Sequence, residues 1–302
     1  MRTLLLFLSR QRWLRRFMEH SAAARTLTRR FVAGNSLSEE VAVCRQLNAE
    51  GILATLDYLG ENVTSIDESR TSRDTYLRSF DAIAMEKLQA SVSIKLTQFG
   101  LDFSVSDCAA NVRPLVERAS RLGTRVEIDM ESSEYTDRTL EVVEQMHREF
   151  GCVRSVIQAY LHRSERDIER LNALGIPVRL CKGAYREPAE VAIQDKAEVD
   201  RNYLKLSRLL LDHGTYPAFA THDPAMIRAA IQHAKEKGIG KDGFELQMLY
   251  GIRRDVQKEV SGLGYRLRLY VPYGDAWYPY FMRRLAERPA NVWFLFRNLL
   301  RF

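Results

Sequence analysis

The sequence predicts an α/β fold of the (β/α)8 type, a distorted TIM barrel with additional N-terminal helices, and three observations carry that expectation. Short apolar or β-branched runs recur eight times after residue 50. Segments with helix punctuation separate them, and the alternating stretch fills roughly 250 residues, the size of such a barrel. No G-x-G-x-x-G follows the first run, which argues against a doubly wound sheet.

Residues 1–50 read as a helical arm packed on the barrel. In "SLSEEVAVCRQLNAEG", Ser36 and Glu39 have capping-box spacing and Gly51 is a stop. The strand candidates follow: "ILATLDYLG" from Ile52, "ASVSIKLTQ" from Ala90, "TRVEIDME" from Thr124 and "SVIQAYL" from Ser155. Then come "IPVRLCKG" from Ile176, "YPAFATH" from Tyr216, "FELQMLYG" from Phe244 and "YRLRLYVPYG" from Tyr265. Between them, "DPAMIRAAIQHAKEKG" offers Asp223 as a cap, Pro224 in the first turn and Gly238 as a close. "SERDIERLNALG", from Ser164 to Gly175, has the same form. Residues 51–302 are therefore expected to form one functional barrel domain.

With 46% hydrophobic and 28% charged residues the chain has the balance of a soluble protein with a core. Its net charge of +6 is spread out, and no basic block with interleaved aromatics marks a nucleic-acid track. The four cysteines lack zinc or redox spacing and read as buried free thiols in a reducing compartment, with no metal site. The apolar run in "MRTLLLFLSRQRWLRR" is too short for a signal-peptide core, and no stretch approaches a membrane span. The C-terminal "NVWFLFRNLLRF" reads as a helix packed on the domain, with membrane-surface contact as the alternative.

In such barrels chemistry gathers at the C-terminal ends of the strands. Here those ends carry Lys95, Asp129 with Glu131, Gln158 with Tyr160, Arg179 with Lys182, Thr221 with His222, Gln247 with Tyr250, and Tyr270. Taken singly, each has an ordinary explanation: Asp129 as a helix cap, Lys95 or Lys182 as snorkelling surface lysines, His222 as a brace of its turn, and Tyr160 or Tyr270 as core aromatics. Their convergence on one mouth is what points to a site. Near the C-terminus, "YPYFMRRLAE" puts Tyr280, Arg283 and Arg284 on one helical face, a clamp for a carboxylate or phosphate, with a solvated basic patch as the alternative.

These segments resemble the proline dehydrogenase family, most closely its compact monofunctional bacterial forms. "LDYLGENVTS", "SIKLTQFG", "EIDME", "IQAYL", "VRLCKGAY", "FATHD", "FELQMLYGIR", "RLYVPYG" and "YFMRRLAERPAN" carry the resemblance, in family order, from about residue 30 to the end. It implies FAD-dependent oxidation of L-proline to Δ1-pyrroline-5-carboxylate on a distorted (β/α)8 barrel. It also implies the residues of the site. Lys95, Arg283 and Arg284 would grip the substrate carboxylate, and Asp129 would stand beside the substrate with Met130 against the flavin. Gln158 would hydrogen-bond the isoalloxazine, Arg179 would lie near flavin N5, and Lys182, Gly183 and Ala184 would hold the FAD. Thr221 and His222 would bind toward the adenosine half, with Glu287 near the cofactor. Tyr185, Tyr270 and Tyr280 would border the substrate pocket, and Glu61 would pair with a substrate arginine to gate it. Electrons would pass to a quinone of the membrane, and the product would leave for a separate pyrroline-5-carboxylate dehydrogenase. The expected location is cytoplasmic, or peripheral at the inner face of the cell membrane. Two other readings stand beside this one: a flavin-free lyase or aldolase with Lys95 or Lys182 as a Schiff-base nucleophile, and a non-catalytic scaffold with a basic face.

Overall fold

The computed structural model describes residues 29–60, 63, 65–278, 280 and 282. The first helix among the described residues, α1 (Leu37–Ala49), starts on the expected capping box, with Ser36 accepting from the Glu39 backbone N–H and Glu39 reaching back to the Ser36 backbone. Strands and helices then alternate: β1 (Leu53–Tyr58), α2 (Ile66–Met85), β2 (Ala90–Ile94), α3 (Val105–Arg121), β3 (Val126–Ile128), α4 (Thr136–Phe150) and β4 (Val153–Gln158). They continue with α5 (Ser164–Ala173), β5 (Val178–Cys181), α6 (Lys196–His213), β6 (Ala218–Ala220), α7 (Pro224–Glu236), β7 (Glu245–Leu249), α8 (Arg254–Gly262) and β8 (Leu267–Tyr273). All eight expected runs hold a strand, although β4 begins two residues before the run read from Ser155.

Every strand pairs in parallel with its neighbours, and β8 closes on β1 with Thr55 opposite Tyr270. The (β/α)8 expectation therefore holds. Side chains alternate between the two faces of each strand. Outward go Leu56, Ile94, Ile128, Leu180, Met248 and Leu269, all buried beneath the helices. Each such side chain contributes about 1.5–3 kcal/mol by leaving water. Inward go Ser91, Glu127, Arg154, Arg179, Glu245 and Arg268, so this barrel is packed with charge where aliphatic layers are usual.

Most helix signals behave as read, but Ser164 is the first residue of α5 and donates to Gln158 O instead of capping, so of that segment's two signals only the Gly175 close, at φ +67°, holds. Asp223 accepts from the Ala225 backbone N–H ahead of Pro224 at the start of α7, and Gly238 follows its end at φ +70°. Another expectation fails: Cys44 and Cys108 are buried, but Cys152 and Cys181 are only half-buried, Cys152 just ahead of β4 and Cys181 at the end of β5, on the interior face it shares with Arg179 at the barrel mouth. No helix among the described residues is long and apolar enough to cross a membrane. Residues 1–28, the segment 291–302, and Glu61, Arg283, Arg284 and Glu287 lie outside the described residues.

Candidate active site

Period-two alternation along β3 and the residue after it turns Glu127 and Asp129 to the same interior face, and the β2–β3 register sets Ser93 against Glu127. β5 then delivers Arg179 between the two carboxylates. Its Nη1 lies 2.9 Å from Glu127 Oε2, while Nη2 pairs with Asp129 Oδ1 and donates to Ser93 Oγ at 3.1 Å. Tyr270 Oη donates to Asp129 Oδ2 at 2.9 Å, and the Arg179 guanidinium stands over the Tyr270 ring, 5.4 Å from its centroid. Lys95 Nζ completes the cluster, 3.0 Å from Asp57, 3.3 Å from Asp129 and 3.2 Å from Tyr270 Oη.

Below this layer Arg154 pairs with Glu245 and lies 3.4 Å from Glu127, while Arg268 lies 3.0 Å from Glu245 and 3.8 Å from Glu127. Gln247 Nε2 bridges the two glutamates. The interior thus holds four carboxylates (Asp57, Glu127, Asp129, Glu245) against four cations (Lys95, Arg154, Arg179, Arg268). An unpaired buried charge would cost several kcal/mol, and the alternation of sign is what makes the arrangement tolerable.

The fields follow from that geometry. Burial alone would raise the Asp129 carboxyl, but Arg179 and Lys95 outweigh it and hold it below its ordinary value. Asp57 goes the other way: burial lifts its carboxyl and Lys95 only partly opposes. Burial pulls the Lys95 ammonium down, yet Asp57 and Asp129 carry it well above the ordinary lysine value. A lysine held so firmly protonated is a poor Schiff-base nucleophile, which weighs against Lys95 in the lyase reading.

Beside the cluster β5 runs out into a shelf. Gly183, Ala184 and Tyr185 are exposed there, and Gly183 takes φ +134°. A Cβ at Gly183 would lie 2.3 Å from the Tyr160 ring, so only glycine lets the backbone lie flat on it. Gln158 ties the shelf to the β3 loop, accepting from Ala184 N at 3.0 Å and donating to Glu131 O at 2.9 Å and Met130 O at 3.4 Å. Lys182 Nζ is 2.5 Å from Asp200 and 3.5 Å from Asp223. Thr221 Oγ1 accepts from the Asp223 N–H, and His222 Nε2 from Leu249 N at 2.9 Å, so both brace the mouth. Tyr280 is buried, whereas Tyr185 is 40% exposed and lines a cavity of about 290 Å³ with Thr97, Glu131 and Tyr135.

The structure thus brings Lys95, Asp129, Arg179 and Tyr270 into one cluster and Gln158, Lys182, Gly183 and Ala184 onto one shelf. Asp57, Ser93, Glu127, Arg154, Glu245 and Arg268 were missed from sequence. Their signal is polar alternation inside strands that a barrel covers with helices, as in "VEI" and "RLRLY".

A sequence model of the family described as Proline dehydrogenase matches residues 41–297. "Proline dehydrogenase 2" of Bacillus subtilis (strain 168) is 40% identical over 298 residues, covering 99% of this chain and 98% of its own. "Proline dehydrogenase" of Deinococcus radiodurans is 41% identical over 280 residues, 91% of this chain and 90% of its own. Among solved structures, the proline utilization A protein from Bdellovibrio bacteriovorus, inactivated by N-propargylglycine, superposes with a TM-score of 0.81 at 29% identity. The match covers 87% of this chain and 32% of that longer one. Identity of this extent, along nearly the whole length of relatives and over one barrel architecture, means that the chain belongs to the proline dehydrogenase family.

Proposed function

We propose that the chain oxidises L-proline to Δ1-pyrroline-5-carboxylate with FAD as cofactor, the first step of proline catabolism. The observation that carries the reading is the Arg179–Asp129–Tyr270–Lys95 cluster opening beside the glycine shelf. The residues suit a flavin dinucleotide. Gly183 leaves an exposed, flat backbone where a Cβ would strike Tyr160, and two cations, Arg179 and Lys182, flank it. Lys182, Gly183, Ala184, Thr221, His222 and Glu287 would hold the cofactor, with Met130 and Gln158 along its ring. When bound, FAD supplies the hydride acceptor at N5 that amino-acid side chains lack.

The chain's own residues bind and orient the substrate. Lys95, with Arg283 and Arg284, receives the carboxylate, and Tyr270 and Tyr280 line the ring with Tyr185 at the rim and Glu61 as the gate. Hydride loss from C5 requires a neutral ring nitrogen. Positive charge lowers an amine pKa, but Asp57 and Asp129 already match the charge of Lys95, so that effect falls to Arg283 and Arg284. Arg179 contributes fixed positive potential where reduction adds negative charge. Electrons then pass to a quinone, and the product to a pyrroline-5-carboxylate dehydrogenase; a cytoplasmic or membrane-peripheral location fits both.

The test is the visible spectrum of the purified protein before and after anaerobic addition of L-proline. A yellow protein that bleaches supports both cofactor and substrate. A colourless protein that takes up no FAD overturns the reading and revives the lysine-based lyase, which borohydride trapping with a carbonyl substrate would detect.

A further inference from the structure

We propose that Glu127 is a positioning residue that sets the place and plane of the Arg179 guanidinium at the barrel mouth. The inference rests on the function proposed above, in which Arg179 acts on the flavin. Glu127 is fully buried, and its Oε2 lies 2.9 Å from Arg179 Nη1. The other edge of the same guanidinium is taken by Asp129 and Ser93. Two carboxylates two residues apart, one in β3 and one just past its end, thus grip two edges of one planar group, and two such anchors define a plane where one allows rotation.

Glu127 is itself held from behind. Arg154 Nη1 and Arg268 Nε lie 3.4 and 3.8 Å from Oε1, and Gln247 Nε2 is 3.3 Å from each carboxylate oxygen. Gln247 Oε1 in turn faces Arg179 Nη1 at 3.3 Å. The carboxylate is therefore a fixed point, and Arg179 is registered against the barrel floor through it. Glu245 supplies a matched comparison. It is as buried and belongs to the same network, pairing with Arg154 and Arg268, but among the described residues no hydrogen bond or ion pair joins it directly to Arg179, which it reaches only through Gln247.

The discriminating quantity is the oxidised–reduced equilibrium of the bound flavin, measured against reference dyes in the holoenzyme. Deleting an anion near the flavin favours its reduced form by removing a Coulomb repulsion. Releasing Arg179 does the opposite. Glu127→Gln is expected to move the equilibrium about tenfold toward oxidised flavin, ~30 mV for a two-electron couple. In an Arg179→Met background the same change is expected to move it toward reduced flavin or not at all. Glu245→Gln, which leaves the direct pairing of Arg179 with Glu127 and Asp129 in place, gives no shift toward oxidised flavin. Where Glu127→Gln does not fold, Glu127→Asp keeps the charge but shortens the reach, and again shifts toward oxidised flavin. The inference is overturned by no shift or a shift toward reduced flavin with Arg179 present, by equal shifts in both backgrounds, or by Glu245→Gln matching Glu127→Gln. A wild-type protein that takes up no flavin overturns the functional reading instead, and this inference with it.

Discussion

The Lys95 ammonium lies 3.0 Å from the carboxylate of Asp57, a residue 1% exposed whose second oxygen has no hydrogen-bond partner among the described residues. The pair is asymmetric. Burial outweighs Lys95 at Asp57, so ionised Asp57 is a net cost to the fold, whereas Lys95 has two carboxylates in its favour. Asp57→Asn should therefore stay within about 1 kcal/mol of wild type in urea unfolding at pH 7. Lys95→Met strands the buried Asp57 charge and should cost about 2–3 kcal/mol, discounted because the Lys95 side chain is 28% exposed. A larger loss for Asp57→Asn than for Lys95→Met would refute this asymmetry.

Glu40 on α1 is fully buried, and burial, reinforced by Asp57, pushes its carboxyl well above the ordinary range while the Asp57 backbone N–H opposes. Cys44 and Tyr273 also feel its charge. For an acid whose folded value is raised, the stabilising contribution is complete below the ordinary carboxylate range and is lost as pH rises through the raised value. Thermal melts across pH should show wild type losing stability relative to Glu40→Gln, with a slope approaching about 1.4 kcal/mol per pH unit within that window. Parallel curves would mean that Glu40 is ionised in the fold.

Gly183 combines φ +134° with a Cβ position 2.3 Å from the Tyr160 ring. Gly183→Ala is strained in its backbone and must push aside either Tyr160 or the shelf. Since the shelf end is exposed, it is the part that yields. FAD retention on gel filtration should drop more than tenfold, the equivalent of about 1.4 kcal/mol, with a smaller change in the melting of the flavin-free chain. Full retention would remove the shelf from the cofactor site.

How much of this was legible depended on which face a residue occupies. The eight strands showed because their outward faces are aliphatic and glycine or proline brackets the helices between them; even the three-residue β3 and β6 were found from that context. Lys95, Asp129, Arg179 and Tyr270 showed because a charge or hydroxyl at the end of an apolar run is conspicuous. Glu127, Arg154, Glu245 and Arg268 did not. An alternating charge within a strand looks the same whether it faces water or a sealed lumen, and only barrel closure, through the β1–β8 pairing, tells the two apart. Asp57 was hidden likewise, inside "LDYLG".

Tyr270 offers a last test of the cluster, because its hydroxyl and its ring do different things. The ring lies under Arg179, and the hydroxyl donates to Asp129 at 2.9 Å. Tyr270→Phe keeps the first contact and deletes the second. Asp129, held low against burial by Arg179 and Lys95 with help from Ser93 and Tyr270, should then titrate higher. A depressed carboxyl contributes stability above the ordinary carboxylate range and loses it as pH falls through the folded value. With a smaller depression, Asp129 loses less stability as pH falls below the ordinary carboxylate range, so the acid limb in Tyr270→Phe should be shallower and end at a higher pH, while the loss at pH 7 is about 1.5–3 kcal/mol for one hydrogen bond to a charged group. Melting curves between pH 3 and 7 decide it: an unshifted acid limb would mean that the two cations alone keep Asp129 ionised and that the tyrosine hydroxyl serves the substrate instead.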